Sequence, residues 1–387
     1  MNETIQNMKK IVVASDSFKG SLTSRQVADA VEQGIREVYP ECEVVKLNVA
    51  DGGEGTMDAL RSTLGGRWVN AKVEDPLGRR MNSAYVILND GRTAVIDVSA
   101  ASGLTLLKPE ERNPMKTSTY GTGEMIADAL ERGCRRIMMG IGGSATNDGG
   151  MGMLSALGFR FLGRDGLMLQ GIGESMAKVW SIDDSQVLPA VHETEFIVAC
   201  DVDSPFCGPS GAAYMFAPQK GAGPRMVAEL DMGMCHFAEV IKRVLGKDVK
   251  DVPGAGAAGG LGGALIAFLD ARLERGVDMV LDAIGFDAII SGADLVITGE
   301  GRVDCQTLAG KTPYGIMKRA SRQGISTVVI GGTVKIDDGD DFSEFDTVYP
   351  VTPPGMPLEE AMKPEIAAAN ICAAIVEIMN DYKRRQV

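Results

Sequence analysis

The stretch with the densest chemistry is Gly140–Gly150, GIGGSATNDGG, which brings five glycines, two hydroxyls, an amide and a carboxylate together in eleven residues. It follows an apolar run, Arg136–Ile141, that reads as a buried strand, and it precedes Met151–Leu157, which can make a helical turn. Such a loop is expected to be too polar and too flexible for a core. A glycine-rich turn at this place points backbone N–H groups outward, as anion cradles do.

Four other polar loops each follow an apolar run: DSFKGS, ADGGEGT, TGEGRVD and GGT. In an open parallel sheet, ligands sit beyond the carboxyl ends of the strands. These loops therefore put Asp16, Lys19, Asp51, Glu54, Glu300 and Asp304 on one edge. Turn geometry alone recruits Gly and Asp, but it does not explain acidic residues gathered at one end of a sheet. Carboxylates that close need a cation. Mg²⁺ on one or two of them, with water and substrate phosphates completing the shell, fits the composition.

Other patterns carry less. Lys311-Thr312 resembles the end of a Walker A motif, but Cys305 stands where that motif needs its first glycine, so no P-loop is expected. Gly140, Gly142 and Ala145 match GxGxxA, yet the continuation TNDGG keeps a helix N-terminus away from any pyrophosphate. Gly254, Gly256 and Gly259 match GxGxxG without a strand before them, which favours a hinge or close helix packing. Asp201-Val202-Asp203 and Lys220-Gly221-Ala222 read equally well as a strand-end turn and a solvated loop or as ligand contacts. Trp68, Trp180 and the methionines are assigned to core. His192 and His236 have no partners at metal-ligand spacing and read as structural.

The elements that position these loops fall into two textures. Lys10–Ser15 and Glu43–Val49 are short β-branched strands, each followed by a helical pattern, Ser21–Val38 and a helix through Leu64. Thr23 is one of several N-caps available to the first. From Trp68 the pattern changes to strands joined by tight turns, Trp68–Val73, Met81–Leu88 and Thr93–Val98, which implies antiparallel hairpins. A helix at Glu124–Gly133, a strand at Glu195–Cys200 and a helix at Ala264–Glu274 continue this part. The βα rhythm returns at Ala293–Thr298, with a helix at Pro313–Gln323, strands at Ser326–Ile330 and Thr347–Val351, and a long helix at Leu358–Arg384.

The sequence thus predicts an α/β protein of two domains. A doubly wound parallel sheet is built by both chain ends, residues 1–65 and 287–387, and a mixed-sheet α/β domain, 66–286, is inserted between them. Ligand sites concentrate at such domain boundaries.

Composition narrows the partners. Among 387 residues the formal charge is −13, which repels nucleic acid and anionic membranes. An anionic substrate needs local cations or helix N-termini. No window is long and apolar enough to cross a membrane, and MNETIQNMKK reads as a short tail rather than a signal peptide. Seven cysteines without a CxxC pair argue against a disulfide framework and for a reducing cytoplasm. With two histidines, any metal is expected to be a hard cation.

DSFKGS, ADGGEGT, GIGGSATNDGG, APQKGAG and TGEGRVD followed by QT and GKTP, in this order and spacing, resemble the type I glycerate kinase family of bacteria over Lys9 to about Met379. The resemblance implies a two-domain fold with a flavodoxin-like part. It also implies ATP-dependent, Mg²⁺-assisted phosphorylation of D-glycerate on its 2-hydroxyl, with the 3-hydroxyl as the alternative.

Phosphoryl transfer needs in-line positioning, charge neutralisation and a carboxylate near the attacking hydroxyl. On that basis Gly142, Gly143, Ser144, Thr146 and Asn147 form an anion cradle, and Ser17 and Lys311 join it as phosphate ligands. Lys19 meets a phosphate or the substrate carboxylate, Asp51, Glu54 and Glu300 form the Mg²⁺ shell, and Asp201 or Asp304 is the base. The rivals are an NAD-dependent dehydrogenase using the GxGxxA match and a non-catalytic small-molecule binding protein; a homo-oligomer is compatible with either. Asp201→Asn and Asp304→Asn should separate the two bases, since losing a base removes ~10²–10⁴ from kcat; near-normal kcat in both would remove both from that role.

Overall fold

The computed structural model describes residues 8–50, 52 and 55–385. Asp51, Glu54 and the first seven residues of the expected tail lie outside them. In chain order the strands are β1 (Lys10–Ser15), β2 (Glu43–Asn48), β3 (Gly66–Glu74), β4 (Arg80–Leu88), β5 (Thr93–Asp97), β6 (Arg136–Gly140), β7 (Arg160–Leu162), β8 (Ser181–Asp183), β9 (Glu195–Ala199), β10 (Arg272–Glu274), β11 (Leu295–Val303), β12 (Thr327–Val334) and β13 (Thr347–Pro350).

The chain divides into Met1–Asp51 with Val280–Val387, and Gly52–Met279. The insertion therefore begins before the helix Thr56–Leu64, not after it as expected. That helix buries Ala59 and Leu60 and packs on β4 and β5, so its apolar face belongs to the mixed sheet.

In the terminal unit, five parallel strands lie in the order β13-β12-β11-β1-β2. This is the flavodoxin-like doubly wound order. Ile11, Val12, Val13, Leu295, Val296 and Ile297 are fully buried, because parallel strands covered on both faces read as continuous apolar runs. The helix Ser24–Val38 starts at a capping box: Thr23 Oγ1 accepts from Gln26 N at 3.3 Å, and Gln26 Oε1 accepts from Thr23 N at 2.9 Å. It buries Val27, Ala28, Ala30, Val31, Gly34 and Ile35.

Two expectations fail here. The polar GEGRV is not a loop: β11 continues through it, pairing Arg302 with Thr333 of β12. The long C-terminal helix is two, Leu358–Ala361 and Pro364–Arg385, because proline has no N–H to continue the ladder.

The inserted unit holds a six-stranded sheet in the order β10-β9-β6-β5-β4-β3. β3, β4 and β5 pair antiparallel, as the tight turns predict, and β5, β6, β9 and β10 pair parallel. The helix expected at Ala264–Glu274 is instead Ala257–Leu269, capped by Asp270 in the left-handed region, and β10 follows it. Phe161 meets Phe237 edge-on at 5.6 Å, and Phe159 meets Phe268 at 5.2 Å.

Trp68 and Trp180 are not core, at 41% and 45% exposed. Each is covered by guanidinium groups instead: Arg164 and Arg243 lie 4.7 and 5.0 Å from the Trp180 ring, and Arg61 lies 5.7 Å from Trp68. Most of the described methionines are buried, but Met168, Met215, Met232 and Met362 are exposed. Cys207 and Cys235 form a disulfide, Cα atoms 5.5 Å apart, a long-range pairing that no local cysteine spacing announces. Among the described residues no helix is long and apolar enough to cross a membrane.

Gly34 sits where the helix Ser24–Val38 crosses the C-terminal helix. A Cβ there would lie 2.7 Å from Cys372 O and 2.8 Å from Ile375 Cβ. Gly34→Val should therefore push the two helices apart and cost about 1–3 kcal/mol in urea unfolding; an unchanged midpoint would show that the crossing yields freely.

Candidate active site

In the terminal unit, the chain leaves β1 towards β2 and leaves β11 in the opposite direction towards β12. The crevice beyond such a parting of connections is where doubly wound sheets bind ligands. A cavity of about 550 Å³ opens there, with Asp16, Ser17, Lys19, Glu300, Arg302 and Lys311 along its polar side. Of the loop residues expected on one edge, Asp16, Lys19 and Glu300 line this cavity and Asp304 does not, while Asp51 and Glu54 lie outside the described residues.

Asp16 Oδ1 accepts from Ser17 N at 2.6 Å, and Asp16 Oδ2 accepts from Thr312 Oγ1 at 3.3 Å. Glu300 is buried in β11. Its Oε1 accepts from Thr307 Oγ1 at 2.6 Å and its Oε2 pairs with Lys311 Nζ at 3.3 Å. Burial raises the Glu300 carboxyl above the usual range, Thr307 and Lys311 pull it back, and the neighbouring charge of Asp16 adds to the rise.

Asp304 has another task. It caps the turn Cys305–Leu308 through Gln306 N at 3.0 Å, and its other oxygen meets Arg302 Nε at 3.0 Å. Asp51 and Glu54, expected in the metal shell, lie outside the described residues. Among the described residues no three His, Cys, Asp or Glu side chains cluster closely enough to hold a metal. Asp16 and Glu300 still supply two hard oxygen donor groups lining one cavity, and one or two carboxylates with phosphate oxygens satisfy Mg²⁺.

In the inserted unit, the loop after β6 contradicts the expectation that it is too polar for core. Gly142 and Gly143 are exposed, but Ser144, Thr146, Asn147 and Asp148 are buried. Asp148 makes this possible. Its Oδ2 accepts from Thr119 N and Thr119 Oγ1, both at 2.8 Å, and from Gly152 N at 3.2 Å; its Oδ1 accepts from Gly150 N at 3.0 Å. The start of the helix Met151–Ala156 is thus filled by the chain's own carboxylate, in the place a dinucleotide fold reserves for pyrophosphate.

Lys220, readable from sequence as a solvated loop residue, is buried beneath this loop. Its Nζ donates to Ser144 Oγ at 2.9 Å and to Thr146 O at 2.6 Å. Burial pushes its pKa down to about 7, against the raising effect of Asp148, whose own carboxyl is raised by burial. Asn147 Nδ2 reaches Met234 Sδ at 3.1 Å, while Thr146 Oγ1 and Asn147 Oδ1 have no partner among the described residues.

Close helix packing is borne out for Gly254–Gly259. A Cβ on Gly259 would lie 2.2 Å from Thr146 O, and Gly259 O accepts from Gly149 N at 3.0 Å. Asp201, after β9, is exposed and its Oδ1 accepts from Gly276 N at 3.0 Å. Sequence reasoning missed Asp97, buried at the end of β5 beside Gly140, because a lone Asp at a strand end looks like a turn residue. His236 is structural as expected, its Nε2 at 2.8 Å from Val179 O.

A doubly wound unit with a polar switch-point crevice, interrupted by a mixed-sheet unit with its own glycine-rich strand-end loop, defines a two-unit α/β enzyme. The model of the glycerate kinase family matches residues 11–383. The glycerate kinase of Bacillus subtilis (strain 168) is 45% identical over 355 residues, 92% of this chain and 93% of that protein. The glycerate 2-kinase of Escherichia coli (strain K12) is 45% identical over 366 residues, 94% and 96% of the two chains. A crystal structure ascribed to glycerate kinase 2 of Salmonella typhimurium LT2 superposes with a TM-score of 0.89 at 42% identity, covering 98% of this chain and 100% of the other. The chain belongs to the glycerate kinase family, and it is a kinase.

Lys220 gives a pH signature. Below about pH 7 both the folded and unfolded states carry the ammonium, and the burial cost is fully present. From there to the ordinary lysine value of 10.5 the folded state sheds its proton first, so that cost declines. The stability of the wild type relative to Lys220→Met should therefore rise between pH 7 and 10 in urea unfolding. A gap independent of pH would show that Lys220 does not titrate in that window.

Proposed function

We propose that the protein transfers the terminal phosphoryl group of ATP to the 2-hydroxyl of D-glycerate, giving 2-phospho-D-glycerate and ADP. The observation that carries this reading is the 45% identity, across 94% of the chain, to a protein named glycerate 2-kinase. The switch-point cavity, with Lys19, Arg302 and Lys311 beside Asp16 and Glu300, supplies the charge pattern that phosphoryl transfer needs.

Ser17, Lys19 and Lys311 are assigned to phosphate oxygens. Glu300, with Asp16 beside it, is the metal-side carboxylate; Mg²⁺ bound there would neutralise phosphate charge. Asp51 and Glu54 keep their place in this shell from sequence alone. The anion cradle is narrower than the sequence suggests: the exposed N–H groups of Gly142 and Gly143 meet the anion, and Ser144, Thr146 and Asn147 brace the turn from behind.

Both candidate bases are engaged, Asp304 with Gln306 N and Arg302 and Asp201 with Gly276 N, and either is kept as the group that takes the hydroxyl proton. The dehydrogenase alternative loses its phosphate seat to Asp148. We place the enzyme in the cytoplasm on the lack of a CxxC pair and on five free cysteines among the described residues; the single Cys207–Cys235 disulfide counts against that placement.

Phosphorus NMR of the product made from D-glycerate, ATP and Mg²⁺ tests the regiochemistry. The signal of 2-phosphoglycerate is expected; 3-phosphoglycerate would move the attack to the other hydroxyl, and ligand-induced stabilisation with no ADP would leave a binding protein.

A further inference from the structure

Resting on the kinase reading, we infer that the adenine base of the nucleotide occupies the apolar part of the switch-point cavity, against Val351, Leu358, Ala361 and Met362, with Asn370 addressing its edge. The triphosphate then emerges among Lys19, Arg302 and Lys311.

The cavity's size is the first argument. At about 550 Å³ it lies within the ~300–1,000 Å³ of small-molecule sites, and a three-carbon acid would leave most of it empty. Its chemistry is the second. One side carries the charged groups of the loop after β1, of the far end of β11 and of Lys311; the other is built by the chain after β13, the short helix Leu358–Ala361 and the start of the helix Pro364–Arg385, and is mainly apolar. A ligand with a flat apolar body and a strongly anionic tail matches both halves, whereas a small polyhydroxylated acid gains nothing from the apolar one.

The third argument is what the apolar wall leaves uncovered. Val351 and Ala361 are buried and form its floor, while Leu358 and Met362 remain 63% and 37% exposed on its rim. Two large apolar side chains left to water beside a cavity mark surface that a ligand covers. Met362 also joins the two halves: its Cε would lie 2.9 Å from a Cβ on Gly20, in the loop after β1 that carries Lys19. Moreover, a thioether packs favourably against an aromatic face. Asn370 projects from the helix Pro364–Arg385, its Nδ2 3.4 Å from Met356 Sδ, and brings a donor and an acceptor to an otherwise apolar wall.

The test is calorimetric titration of the non-hydrolysable analogue AMP-PNP, without glycerate, into the wild type and the Leu358→Ala/Met362→Ala double variant, alongside thermal shifts with D-glycerate. The double variant should bind AMP-PNP at least about tenfold more weakly and keep its stabilisation by D-glycerate. Unchanged AMP-PNP affinity, or loss of the glycerate shift with AMP-PNP binding intact, overturns the assignment. Should the variant unfold or lose both ligands, photolabelling of the wild type with 8-azido-ATP decides: label within residues 351–370 supports the site, and label elsewhere overturns it. AMP-PNP binding in this cavity, with no phosphoglycerate formed from ATP, Mg²⁺ and D-glycerate in a separate assay, would sink the kinase reading and leave the nucleotide site standing. Phosphoglycerate formed with the label elsewhere would do the reverse.

Discussion

Parallel backbone pairing on both edges of β1 is the constraint from which the terminal unit follows. β1 is bonded to β2 on one side and to β11 on the other, and a parallel neighbour can be reached only by a crossover long enough to hold a helix. The two crossovers depart in opposite directions, so the loops that end β1 and β11 part at their tips. That parting makes the crevice. The residues there need little special geometry of their own: Asp16 and Lys19 follow β1, Glu300 lies within β11, and Lys311 stands at the N-cap of the helix Thr312–Arg322.

The inserted unit meets a different problem, a polar glycine loop that must be buried to hold its shape. It does so with internal ions. Asp148 accepts from Gly150 N and Gly152 N at the start of the helix Met151–Ala156 and from Thr119 N and Oγ1 at the start of the helix Tyr120–Glu131, and Lys220 closes an oxygen on each of Ser144 and Thr146. Burying charge is costly unless its hydrogen bonds are complete, and here the two side chains share one loop from opposite sides. Burial pushes both towards their neutral forms. The glycines allow the tight approach: at Gly150 a Cβ would lie 2.4 Å from Ala264 Cβ, with φ at +75°.

Much of this architecture was legible in the sequence. The hairpins between Trp68 and Val98, the buried runs at Ile11–Val13 and Leu295–Ile297, and an N-cap before the first helix are local patterns, and local patterns survive folding. What escaped was long-range. Nothing near Lys220 shows that it ends beneath Ser144, 76 positions earlier, and nothing near Cys207 announces Cys235. GEGRV looks like a loop until β12 supplies its partner edge. Trp68 and Trp180 look like core because apolar surface normally is, but guanidinium groups cover them equally well. Among the candidate site residues, Asp16, Lys19 and Glu300 stood out in the sequence because polar residues recurred at strand ends, while the role of Asp148, the anion that holds the glycine-rich loop, has no local signal.

The exposed part of that loop, Gly142–Gly143, has a corollary for how this protein is probed. It offers water only peptide groups. Among the described residues, a Cβ on Gly142 would meet nothing within 4 Å, and one on Gly143 only Ser99 Cβ at 3.5 Å, with φ at +70°. Trimming side chains, the usual way to find contact residues, is blind to such a surface because there is nothing to trim. Its contribution can be read only by adding atoms, or by changing the amide itself.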